Sequence, residues 1–176
     1  MNEDMPAWPL PLRLIHWASA ALVIGALGLG TYMVQFVQNP AERFDLTQTH
    51  KGIGVTVFAL TVVRLCLRAL TIARKPNAFA PRLLLAAKAT HISLYALLLL
   101  LPLSGWLMAT TTPVRVPTSV FGLFELPYAL APDLLVYRFA QAVHVAAAVA
   151  LGVLMILHIA AALVHALWWR SRTFAA

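Results

Sequence analysis

The stretch FAQAVHVAAAVALGVLMILHIAAALVHALWW, residues 139–169, decides the fold. It contains no Asp, Glu, Lys or Arg, yet it holds three histidines, His144, His158 and His165. An α-helix rises about 1.5 Å per residue, so this stretch makes a helix about 45 Å long, whereas the hydrocarbon core of a bilayer is about 30 Å thick. The sequence therefore predicts a membrane-crossing helix that tilts or projects beyond the bilayer.

Three further apolar stretches precede this one, at about residues 14–37, 50–72 and 89–110. The whole chain of 176 residues is 61% hydrophobic and 11% charged, whereas soluble domains are about 45–50% apolar and about 25% charged. At about 20 residues per crossing, the length allows four spans with their loops. The predicted fold is all-α, an integral membrane four-helix bundle that forms a single domain over residues 1–176 in a lipid bilayer.

The basic residues orient the predicted bundle. The chain carries a net charge of +7. The positive-inside rule places the span ends that carry more Lys and Arg residues in the cytoplasm, together with both termini. The surplus of positive charge therefore indicates the orientation of the protein in the membrane, and we expect no nucleic-acid partner. The predicted cytoplasmic set is Arg13, Arg64, Arg68, Arg74, Lys75, Arg82, Lys88, Arg170 and Arg172. The predicted outer set is Arg43, Lys51, Arg115 and Arg138.

The cysteine count limits the redox chemistry. Cys66 is the single cysteine, which excludes an intrachain disulfide framework, iron–sulfur clusters held by the protein, and the C-x-x-C-H attachment of c-type haem.

Two histidines of the fourth span lie at two membrane depths. His144 and His158 are 14 residues apart, which corresponds to about 21 Å along a helix and to within about 40° of the same face. This distance is too long for one shared metal ion, but it suits two haems, one near each membrane face. Ionisable residues inside a membrane are costly and indicate a functional site.

Topology supplies a second ligand for each haem. His16 lies at the cytoplasmic start of span one, at the level of His158, and His50 opens span two on the outer side, at the level of His144. Neutral imidazole is an ordinary axial ligand of haem iron. The predicted iron ligands are therefore the pairs His16–His158 and His50–His144, one pair for each haem.

Four other polar residues are candidates for the same site. Arg64 follows His50 by 14 residues and reaches the inner level, where it either pairs with a haem propionate or extends to the interface. His91 and His165 are candidates for propionate or quinone contacts, or are interfacial histidines. Lys51 is an outer-face candidate for attracting an anion, or a solvated lysine.

Two other kinds of membrane protein compete with this interpretation. A metal transporter needs several His, Asp or Glu side chains at one depth, and the predicted spans contain no acidic residue. A haem-free transporter or assembly factor also remains open, since a single membrane histidine can serve helix packing alone.

The order of these motifs resembles the bacterial cytochrome b561 family, of the small four-helix dihaem type. The resemblance covers essentially the whole chain. It rests on Ile15-His16-Trp17, Thr49-His50-Lys51-Gly52, Val63-Arg64-Leu65-Cys66-Leu67-Arg68, Ala89-Thr90-His91, Leu101-Pro102-Leu103-Ser104-Gly105, Phe121-Gly122-Leu123, Leu126-Pro127-Tyr128-Ala129, His144, His158 and Ala161-Ala162-Leu163-Val164-His165.

This resemblance implies two b-type haems, ligated as paired above, in a multi-pass protein of the bacterial inner membrane that transfers electrons to or from quinone. The member type that looks most similar oxidises superoxide to dioxygen and reduces ubiquinone. The alternative is a b-type membrane subunit that relays electrons between a partner dehydrogenase and quinone. Lys51 departs from the family pattern, which often has a neutral residue there. We expect its charge to leave the haem ligation untouched and to alter the anion entry site.

Overall fold

Four long helices and one short hairpin make up the described chain. The computed structural model describes residues 9–71 and 81–168, and within these ranges it describes all side chains except those of residues 81–83, 165, 166 and 168. The helices are α1 (Leu10–Gln35), α2 (Pro40–Leu70), α3 (Pro81–Thr111) and α4 (Leu134–Trp168), and the strands are β1 (Thr118–Val120) and β2 (Phe124–Leu126).

Each of the four helices is long and apolar enough to cross a membrane. Many of their large apolar side chains point outward, as for Val149 and Ile156, whose side chains are 64% and 67% exposed. In a bilayer these surfaces contact lipid, while the helices satisfy their own backbone hydrogen bonds. The all-α membrane bundle predicted from composition is thus confirmed.

The helices begin earlier than the predicted apolar spans. The α2 helix starts at Pro40, ten residues before His50, because the Asn39 side chain accepts a hydrogen bond from the Ala41 amide at 2.9 Å and Pro40 suits a first helical position. The α3 helix likewise starts at Pro81. Hydropathy marks the lipid-embedded part, whereas capping residues set the helix ends. Ile72 and Trp169, where two predicted spans end, lie outside the described residues.

A β-hairpin interrupts the proline-rich segment between α3 and α4. Its strands are antiparallel, with Val120 paired to Phe124, and the turn is closed by a hydrogen bond from the Leu123 amide to the Val120 carbonyl at 3.0 Å. The turn needs positive φ angles, which are 52° at Phe121 and 74° at Gly122. Its first strand packs against α2, so the hairpin covers one end of the bundle.

A small apolar core lies at the middle of the bundle. Val23 of α1, Val57 of α2 and Leu151 of α4 are buried together. Val23 follows His16 by seven residues, or about two helical turns, and Val57 follows His50 by the same number. Leu151 follows His144 by seven residues and precedes His158 by seven. The apolar layer therefore separates two histidine levels, one on each side of it.

Candidate functional site

The structure brings four histidines together as two facing pairs. At one level, the rings of His50 on α2 and His144 on α4 have centroids 6.2 Å apart, with an angle of 71° between the ring planes. At the other level, the rings of His16 on α1 and His158 on α4 have centroids 6.4 Å apart and lie at 88°. We call the first the hairpin-end pair and the second the arginine-end pair.

Both separations fit one metal ion held between two imidazoles. A metal–imidazole bond is about 2.0–2.1 Å long and the centre of an imidazole ring lies about 1.1 Å from its nitrogens, so two rings on opposite sides of one ion have centroids about 6 Å apart. The two observed distances match this value. Among the described residues, no group of three or more His, Cys, Asp or Glu side chains is arranged to hold a metal ion, so the donor set suits two axial ligands per level.

Two glycines make room for the hairpin-end pair. A Cβ atom added to Gly30 of α1 would lie 3.1 Å from Cε1 of His50, and one added to Gly105 of α3 would lie 3.2 Å from Cε1 of His144. Each ring therefore packs against the backbone of a neighbouring helix. A methyl group at either glycine forces its ring to move, because both distances are tighter than ordinary van der Waals contact.

Hydrogen bonds also distinguish the two rings of this pair. Nδ1 of His144 lies 3.0 Å from the Leu101 carbonyl oxygen and 3.1 Å from Oγ of Ser104. Nδ1 of His50 is buried without a hydrogen bond of good geometry, although the backbone of Ala26 lies near enough to interact with the ring. The His144 ring is thus the more firmly oriented of the two.

The hairpin packs directly beside this pair. The Phe121 ring contacts the backbone of Gly52, where an added Cβ would lie 3.0 Å from Cε1 and Cζ of the ring. Nε2 of Gln48 donates a hydrogen bond to the Pro117 carbonyl at 3.0 Å. A small cavity of about 110 Å³ remains between the hairpin and α2, lined by Gln48, Thr49, Ser119, Phe121 and Gly122.

His16 of the arginine-end pair lines a larger and more polar cavity. Its volume is about 230 Å³. The guanidinium groups of Arg64 and Arg68 lie over the Tyr95 ring, 5.6 and 5.9 Å from its centroid. Three arginines beside two histidines give this end a strong local positive charge, which suits an anionic group. The lining residues are Leu12, Arg13, His16, Trp17, Arg64, Arg68, His91 and Tyr95.

The remaining candidates from the sequence are placed as follows. Arg64 shares the cavity with His16, at the level expected from its spacing. His91 lies beside the arginine-end pair, with its ring centroid 5.6 Å from that of His158. The Lys51 side chain is half-buried at the hairpin end. The side chain of His165 lies outside the part of the chain that the structure describes.

Sequence reasoning missed several side chains of the site. Ser104 and Gly105 contact His144, but the sequence shows them only as a polar residue and a small residue within an apolar helix. Arg13 and Tyr95 reach the cavity from α1 and α3, although nothing in their spacing marks them. A serine in the middle of an apolar span is the one signal that points to Ser104, since such a hydroxyl needs a hydrogen-bond partner.

Comparison with known proteins agrees with these observations. A family model described as prokaryotic cytochrome b561 matches residues 7–176. The chain is also 34% identical to cytochrome b561 homolog 2 of Escherichia coli K12 over 151 residues, which is 85% of this chain and 79% of the relative.

The chain therefore belongs to the prokaryotic cytochrome b561 family. This makes it a multi-pass membrane protein of electron transfer, in a family that binds b-type haem. The family resemblance seen in the sequence motifs is confirmed.

Proposed function

We propose that this protein is a dihaem cytochrome that oxidises superoxide to dioxygen and reduces ubiquinone. The observation that carries the proposal is the presence of two imidazole pairs, with centroids 6.2 and 6.4 Å apart, on opposite sides of an apolar layer. Two levels about 21 Å apart along α4 provide a path for electrons through the membrane.

The chain's own residues have distinct parts in this proposal. His50 and His144 would hold one haem at the hairpin end, and His16 and His158 would hold the other at the arginine end. Haem b, when bound, supplies reversible one-electron chemistry, and the protein sets its ligation, exposure and potential. Arg64 would pair with a haem propionate at the arginine end, because a guanidinium and a carboxylate form strong charge-assisted hydrogen bonds.

The overall reaction balances with two superoxide ions for each quinone. Each superoxide gives up one electron and becomes dioxygen, while ubiquinone takes two electrons and two protons and becomes ubiquinol. His91, which lines the arginine-end cavity, is our candidate for contacting the quinone or a propionate, and we assign the same choice to His165. Lys51 is the candidate cation that attracts the superoxide anion at the hairpin end.

The charge distribution suggests how the protein lies in its membrane. With both termini in the cytoplasm, the hairpin end faces the outside of the bacterial inner membrane and the arginine end faces the cytoplasm. Superoxide on the outer side of the inner membrane would then meet the hairpin end first. Fusion of a reporter to either terminus tests this orientation, and activity of a reporter that works only outside the cytoplasm contradicts it.

Stopped-flow reduction of the purified protein by superoxide tests the activity. We expect the b-type absorption band of the reduced protein to appear on mixing with superoxide, and ubiquinol to form when ubiquinone is supplied. A protein that has the band but stays oxidised with superoxide is instead a b-type subunit that takes electrons from a partner dehydrogenase. A protein without the band contradicts the whole proposal and leaves a haem-free transporter or assembly factor.

A further inference from the structure

Ser104 lies in a closed triangle of polar atoms on α3 and α4. Its side chain is 5% exposed. Oγ of Ser104 lies 2.9 Å from the Leu101 carbonyl oxygen and 3.1 Å from Nδ1 of His144, and Nδ1 lies 3.0 Å from the same carbonyl. Each of the three atoms is therefore within hydrogen-bond distance of the other two.

The chemistry of the three atoms settles which of them donates. A carbonyl oxygen can only accept, so the contact between Nδ1 and Leu101 requires a proton on Nδ1. The Ser104 hydroxyl then donates to Leu101 and accepts from the Nδ1–H of His144. If the hydroxyl donated to Nδ1 instead, the lone pair of Nδ1 would face the carbonyl oxygen at 3.0 Å, which is repulsive.

This triangle goes beyond the usual arrangement of a hydroxyl in an apolar helix. Thr56, Thr61 and Thr90 donate only to the carbonyl four residues earlier in their own helix, which is the ordinary way to satisfy such a group. The Ser104 hydroxyl donates to the carbonyl three residues earlier in its own helix and also contacts His144 on a different helix. In the described part of the chain, no hydrogen bond fixes the rings of His16 or His158, so the arrangement is particular to the hairpin end.

We propose that Ser104 is a positioning residue for His144. Together with the Leu101 carbonyl, it holds the proton of His144 on Nδ1 and leaves the lone pair of Nε2 free for iron. Hydrogen bonding at the far nitrogen of a ligating imidazole also raises its basicity toward the metal. A more basic ligand favours the ferric state, so Ser104 lowers the reduction potential of the hairpin-end haem relative to the arginine-end haem.

This inference rests on the proposed ligation, so the experiment begins with the haem content of the purified wild-type protein. Two haems per chain satisfy the proposed function, and a different number overturns both claims. His144→Ala then identifies the hairpin-end haem, as the one whose redox wave and low-spin ferric EPR signal disappear.

The test compares Ser104→Ala, Ser104→Thr and Ser93→Ala by redox titration and EPR. Ser93 lies on the same helix and is exposed, so its variant controls for loss of a hydroxyl. We expect Ser104→Ala to raise the potential of the hairpin-end haem and to alter its EPR signal, with the other haem unchanged. The threonine variant keeps the hydroxyl and restores the wild-type values.

Two results overturn the role of Ser104 while leaving the proposed function intact. The first is a Ser104→Ala protein whose two potentials and EPR signals equal those of the wild type. The second is a loss of the hairpin-end haem in the alanine and threonine variants alike, which indicates a packing role for the serine. Loss of that haem in the alanine variant alone supports the positioning role.

Discussion

The two ends of the bundle present nearly identical histidine pairs in opposite surroundings. The ring centroids are 6.2 Å apart at the hairpin end and 6.4 Å apart at the arginine end. Backbone glycines, a serine and a capping hairpin surround the first pair, whereas His16 of the second pair lines a cavity with three arginines. The comparison indicates that packing and hydrogen bonds position the histidines at the hairpin end, whereas positive charge dominates the surroundings at the arginine end.

Substitution of a proposed haem ligand is expected to have the largest effect, because it should remove the haem from one end of the bundle. We expect His144→Ala to reduce the haem content from two per chain to about one, because one imidazole cannot replace a pair of axial ligands. His158→Ala has the same result at the other end. A pyridine haemochrome assay measures both, and an unchanged content in either variant contradicts the assignment of that ligand.

Added methyl groups at the glycines sharpen the contrast in packing. Gly105→Ala places a Cβ 3.2 Å from the His144 ring, and overpacking of this kind costs about 1–3 kcal/mol. We therefore expect about a tenfold or greater loss of affinity for the hairpin-end haem alone, measured by haem retention on dilution in detergent. Gly54→Ala is the matched control, since an added Cβ there meets nothing within 4 Å. Equal haem retention in the two variants would contradict the role of Gly105 in making room for the His144 ring.

Removal of a cation tests the electrostatic half of the comparison. Arg64→Gln takes a positive charge from the cavity beside His16, and a nearby positive charge favours the reduced haem. We expect the potential of the arginine-end haem to fall by on the order of 50 mV, close to the 59 mV that represents a tenfold change for one electron. Lys88→Gln removes an exposed charge and should have little effect. A fall of the same size in the control variant argues against a local role for Arg64.

The hairpin contact has the smallest expected effect. Gly52→Ala places a Cβ 3.0 Å from the Phe121 ring. We expect the free energy of unfolding to fall by about 1 kcal/mol, with both haems retained. Combining it with Phe121→Ala removes the clash and should recover part of the loss. Thermal unfolding in detergent measures both variants. If Gly52→Ala unfolds at the wild-type temperature, the hairpin does not press against α2.

Hydropathy and spacing were sufficient to predict the bundle and the pairing of four histidines at two levels. The predicted spans lie largely within the observed helices, because the cost of burying charge in lipid leaves a clear mark on composition. The start of α2 at Pro40 was missed, since it depends on the Asn39 cap and not on hydropathy. The hairpin was also missed, because each of its strands has only three residues and so leaves no measurable alternation in the sequence.

The contacts around the histidines were harder to predict than their levels. The depth of a residue follows from its position along a helix, which is why His50 and His144 could be matched by counting. The rotation of α3 could not be inferred, because this helix is apolar on all sides and gives no preferred face. Ser104 and Gly105 were therefore visible in the sequence, while their contacts with His144 needed the packed structure.

The haem content of the purified wild-type protein tests the central claim most directly. A pyridine haemochrome assay, referred to an independent protein concentration, measures b-type haem per chain. Two imidazole pairs on either side of the Val23, Val57 and Leu151 layer predict two haems per chain. A content of one or none would contradict the assignment of four axial ligands.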